Sequence, residues 1–138
     1  LSRMPLTIEF DPGEKRMVIQ RRGRAAAAPA PYSRKQRTDA GPATVYGLIT
    51  VLPGEASSPE EHRIIVVSGI SSVGVHGAME FFSSPEKLAA LRERFRQQGL
   101  PGFPPAYQLV VECKADDTLL LSAEYAGHEV KGAFASQR

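Results

Sequence analysis

Residues 64–82 read IIVVSGISSVGVHGAMEFF. A short β-branched run meets Gly69, small residues follow through Gly74 and Gly77, and the stretch ends in Phe81-Phe82. An almost continuous apolar run of strand length predicts a central strand covered on both faces. Val75, Met79 and Phe82 then recur at helical spacing, so the segment predicts a strand, a glycine-rich turn and a helix start.

The glycines admit two readings. A strand, a turn of small residues and a helix N-terminus together form the arrangement that holds phosphates on free N–H groups. In that reading Ser71, Ser72, Gly74, His76 and Gly77 bind a small anionic ligand. In the other, the glycines make a tight turn and let the helix pack close to the sheet. The spacing G-x4-G-x2-G matches neither the dinucleotide fingerprint nor the Walker pattern, which needs a lysine after its second glycine.

Outward from this stretch, LTIEF, DPG and EKRMVIQRR read as a β-hairpin turned by Pro12-Gly13. Residues 23–44, GRAAAAPAPYSRKQRTDAGPAT, show neither helical nor strand periodicity and read as a basic Ala/Pro-rich linker or loop. VYGLITVLPG (45–54) reads as a buried strand. Ser84-Pro85 supplies an N-cap and first helical residue, Glu86 follows, Leu88, Leu91 and Phe95 form one stripe, and Gly99 stops the helix. Two strands joined at Ala115-Asp116-Asp117 end the pattern. The fold class is therefore α/β or α+β. We expect one mixed sheet of about five to six strands, with two helices following the central strand and a parallel crossover to the next one. The divisions are 1–22, a hairpin; 23–44, the linker; and 45–138, the α/β domain, in a single globular unit.

The net charge of +2 conceals an asymmetry. Eight of the 17 basic residues lie between Lys15 and Arg37 with no acid among them, Arg21, Arg22, Arg24, Arg34, Lys35 and Arg37 included. The arm has three readings: contact with nucleic acid phosphates, pairing with an acidic surface, or a solvated linker. Tyr32 is its one aromatic residue, so a base-stacking platform is missing and nucleic acid is not favoured.

The remaining candidates are sparse. His62, His76 and His128 are far apart and no Cys-x-x-Cys occurs, so no metal and no cofactor is expected. The single cysteine, Cys113, sits in an apolar strand pattern and reads as a buried thiol. No apolar run approaches ~18 residues, so no membrane span is expected. With no signal peptide visible and one cysteine, a cytoplasmic location is the expectation. The chain begins with Leu1, and an upstream domain is expected as its partner.

Val45-Tyr46-Gly47-Leu48-Ile49 with Leu52-Pro53, followed by Ile64–Gly69, Gly74, Gly77-Ala78 and Phe81-Phe82, resembles an uncharacterised bacterial domain found at the C-terminus of multidomain, regulator-like proteins. The family pattern is roughly DYxLIxxLPNP, an apolar strand ending in AG, then GTxAAxxFLT. Val45, Gly54 and Val75 stand where that pattern has Asp, Asn and Thr. The resemblance spans about 44–125 and implies a sensor or interaction module attached to another domain. The expected function is therefore a non-enzymatic regulatory or interaction module. The alternatives are an enzyme using His76 as general acid/base on a phosphorylated or nucleotide substrate, and an assembly module dimerising through edge strands or the Leu88/Leu91/Phe95 helix.

Overall fold

In the computed structural model the described residues are 4–11, 16–22, 32–33, 42–54 and 63–131. Strand β4 (Ala43–Pro53) is the organising element. It lies between β5 (Arg63–Gly69) and β6 (Tyr107–Asp116), and β7 (Leu119–Val130) completes a four-stranded sheet of order β5-β4-β6-β7. All its pairings are antiparallel. A smaller sheet, β1-β2-β3, comprises β1 (Leu6–Asp11), β2 (Arg16–Arg21) and the two-residue β3 (Tyr32–Ser33). Helices α1 (Ser72–Phe82) and α2 (Pro85–Gln97) connect β5 to β6. The protein is thus mixed α+β.

Side-chain alternation explains the layering. Val45, Ile49 and Val51 of β4, with Tyr107, Leu109, Val111 and Cys113 of β6, point toward the helices. They enclose Phe81, Leu91 and Phe95, and Phe95 is fully buried. Tyr46 and Leu48 of β4 and Val110 of β6 point the other way and pack on Leu6 and Ile19 of the small sheet. The large sheet therefore has a helix layer on one face and the small sheet on the other. Phe95 stacks edge-on against Tyr107 at 5.1 Å and Phe103 at 5.9 Å, which anchors α2.

The N-terminal hairpin forms as expected, in register Leu6↔Arg21 through Asp11↔Arg16. Its expected turn at Pro12-Gly13 lies outside the described residues. The Ser84 cap is present: its hydroxyl accepts from the Lys87 N–H at 3.2 Å. Gly99 takes φ 99° just past the helix end, as a left-handed stop requires.

Four expectations are corrected. The single mixed sheet is replaced by two antiparallel sheets. β5 is not central but occupies an edge of the large sheet, with Ile64 at 50% and Ile65 at 47% exposure. The crossover keeps its direction, since β5 and β6 both oppose β4, but β4 lies between them and no parallel pair forms. The β-branched run of β5 looked doubly covered because apolar composition reports strand propensity as well as burial. Finally, Gly74 and Gly77 lie within α1 rather than in a turn, and the buried face of α1 is Val73, Gly74, Gly77, Ala78 and Phe81. Val75 and Met79 are exposed. The helix turns its smallest residues inward because it lies close over β4 and β6.

Candidate functional site

The segment Ile70-Ser71 is all that remains of the glycine-rich loop. Ser71 is the N-cap of α1, half-buried, and its side chain makes no capping bond; Ser72 is exposed. Gly74 faces the backbone of β4: a Cβ there would overlap the carbonyl oxygen of Tyr46, and one on Gly47 would overlap that of Gly74. Gly77 faces β6, where a Cβ would run into Cys113 Sγ. His76 projects from the outer side of α1. The five residues are close in sequence but point to different neighbours, and the two helical glycines are occupied by helix–sheet contact.

His76 borders a groove of about 490 Å3 between α1, the start of α2 and the start of β7. Its Nε2 is 3.7 Å from Glu80 Oε2, and both side chains are mostly exposed. Ser84, Lys87 and Ser122 line the same groove. Lys87 Nζ donates to the Ala123 carbonyl at 2.6 Å and to Glu124 Oε2 at 3.1 Å, and lies 5.7 Å from the centre of the Phe81 ring. Glu124 thus ties β7 to α2.

A second polar group joins β7 to the end of α2. His128 Nδ1 is 2.8 Å from the Tyr125 hydroxyl and its Nε2 is 2.7 Å from Gln98 Oε1. Its ring packs edge-on against Phe95 at 4.7 Å. Neutral imidazole satisfies both bonds, with Tyr125 O–H donating to Nδ1 and Nε2–H donating to Gln98. Burial lowers the pKa of His128 from its ordinary value; Glu129 opposes this and Arg94 adds to it. Arg94 lies 3.8 Å from the centre of the Tyr125 ring. Nothing in the sequence spacing signalled this group, whose members come from two elements.

Cys113 is fully buried, and burial, with Glu112 adding, pushes its thiol up to about 11. A nucleophile needs the reverse environment. Among the described residues no group of three or more His, Cys, Asp and Glu side chains is placed to hold a metal, and no helix is long and apolar enough to cross a membrane. Of the basic arm, Arg21 pairs with Glu129 on β7, and Arg22 Nε donates to the Met4 carbonyl at 3.0 Å. Arg24, Arg34, Lys35 and Arg37 lie outside the described residues.

The β5 edge borders an apolar feature. Ile65 and Arg63, with Val51, Phe82, Leu88 and Phe103, border an apolar groove of about 310 Å3. Ile64 stands exposed on the opposite face of the strand. Arg63 is the one charged residue of β5, and its guanidinium donates to the Pro104 carbonyl at 3.0 Å. No family model, curated protein or solved structure matches the chain.

Proposed function

We propose that this chain is a non-enzymatic interaction module of a larger bacterial, regulator-like protein, and that it docks its partner along β5 and the adjoining flank of α1. The observation that carries this reading is the edge itself: Ile64 and Ile65 stand half-exposed on a strand with no charge beyond Arg63. Natural edge strands are usually blunted by charge, proline or bulges. The chemistry of the described residues supports the same reading, since Cys113 is sealed and both ring nitrogens of His128 are engaged in holding β7 to α2. The test is a photo-crosslinking residue at Ile64 of the full-length protein in cells, with Arg92 on the exposed face of α2 as control. A discrete adduct from Ile64 and none from Arg92, identified by mass spectrometry, is expected. Equal labelling from both positions overturns the reading.

A second reading keeps the small anion but moves it. Lys87, Ser84, Ser122 and His76 converge on the groove beside α1, so a phosphorylated ligand belongs there rather than over the glycines. Thermal shift with inorganic phosphate and nucleotides tests it. Stabilisation that Lys87→Met abolishes supports it, and no shift at millimolar ligand removes it.

A further inference from the structure

We propose that the partner of the β5 edge is β5 of a second copy of this chain, paired antiparallel across a two-fold axis at Val66. This rests on the interaction reading above and names its occupant. The two four-stranded sheets would then run on as one.

The ladder geometry selects the register. The Ile70 N–H donates to the Tyr46 carbonyl at 3.1 Å. Hydrogen-bonding direction alternates along an antiparallel strand, so Ser68, Val66 and Ile64 also bond toward β4. The N–H and C=O groups of Arg63, Ile65, Val67 and Gly69 therefore point outward, and no described strand pairs with them. A two-fold at Val66 places Ile65 opposite the mate's Val67 and Arg63 opposite the mate's Gly69. All four outward residues then fall at hydrogen-bonding positions. An axis one residue either way leaves one end of the set unmatched.

The charge pattern fits the same mate. The two Arg63 side chains fall at opposite ends of the seam, so like charges stay apart, and no other charge lies within it. On the helix side Val75, Met79 and Phe82 form an uncharged stripe at i, i+4 and i+7, and Phe82 shares the groove of Ile65. The opposite edge also exposes Leu119 and Leu121, but its charge and its ladder differ. β7 carries Glu124 and Glu129, its pairing with β6 is broken at Val110/Val111 and at Lys114/Ala115, and Lys87 and Arg21 bond to its acids. Acids, their basic partners and two register shifts mark the β7 edge, whereas the β5 edge carries Arg63 alone. An isologous contact consumes both copies of β5 and closes as a dimer.

The experiment uses the purified 138-residue chain. Sedimentation equilibrium over a concentration series is expected to carry the mass toward twice 15.0 kDa. Ile65→Pro deletes an outward N–H while leaving the β4 ladder its bonds, so it is expected to stay folded by circular dichroism and to remain monomeric. At a non-hydrogen-bonded site across the axis the two Cα atoms lie ~4.5 Å apart, within disulfide reach. Val66→Cys is therefore expected to oxidise to a covalent dimer many times faster than Arg92→Cys. A monomer at every concentration, a folded Ile65→Pro that still dimerises, or Val66→Cys crosslinking no faster than Arg92→Cys overturns the proposal. A monomer in vitro with a foreign adduct from Ile64 in cells leaves the interaction reading standing and removes only self-pairing.

Discussion

The side-chain amide of Gln108 closes on the backbone of Leu6. Its Oε1 accepts from the Leu6 N–H at 2.7 Å and its Nε2 donates to the Leu6 carbonyl at 3.0 Å and to Thr50 Oγ1 at 3.1 Å. Gln108 is 2% exposed, so one buried side chain acts as a strand for the edge of the small sheet. Replacing it with Leu keeps the volume and orphans both backbone groups of Leu6. Gln108→Leu is expected to destabilise the protein by about 2–4 kcal/mol in urea unfolding. Hydrogen exchange should speed up in β1 before β6. Uniform exchange in both strands would show that the amide does not fasten the layers.

Gly74 and Gly77 give a graded pair. The obstacle for a Cβ at Gly74 is the Tyr46 backbone, whereas at Gly77 the nearest atom is the Cys113 sulfur. Each alanine substitution overpacks the α1–sheet contact and should cost about 1–3 kcal/mol, Gly74→Ala the more. Adding Cys113→Ala to Gly77→Ala removes the nearest atom and is expected to recover part of the loss. A strictly additive double-mutant cycle would contradict this contact. If the glycines instead served a ligand, Gly74→Ala would leave unfolding unchanged.

His128 sets an acid limit. Its folded pKa is lowered from 6.5, first by burial and further by Arg94, with Glu129 opposing. The unfolded chain therefore binds the proton more readily. The stabilising contribution is complete above pH 6.5 and is lost as pH falls from there through the folded value. Thermal melts across this window should show a drop in Tm that His128→Gln flattens. An unchanged slope in that variant would place the acid sensitivity elsewhere.

Cys113 should resist modification. The thiol is fully buried under α1 and its pKa is pushed up to about 11. A thiol reagent at neutral pH is expected to label the unfolded chain in urea and to leave the native chain unlabelled over the same interval. Native labelling at the unfolded rate would mean that α1 opens readily from the sheet.

The features legible in the sequence were those governed by neighbours along the chain. The Ser84-Pro85 cap, the Leu91/Phe95 face and the Gly99 stop follow from helix-end chemistry and period alone, and each stands in the structure. The β1–β2 hairpin and the antiparallel β6–β7 pair follow from alternation broken by turn residues. Composition also separated a buried thiol from a reactive one at Cys113.

The tertiary structure decided everything that depends on which element lies beside which. A β-branched run is equally suited to a central or an edge strand, and only the order β5-β4-β6-β7 shows that IIVVSG lies at an edge among the described strands. Small residues at Gly74 and Gly77 suit a phosphate or a helix packed on a sheet, and only the structure shows how closely they approach Tyr46 and Cys113. Val75 and Met79 share a period with Phe82, but the face that α1 buries is fixed by the clearance over β4. Gln108 and His128 gain their roles from Leu6 and Gln98, 102 and 30 residues away. Periodicity records the demands of one element at a time, and these assignments are set by contacts between elements.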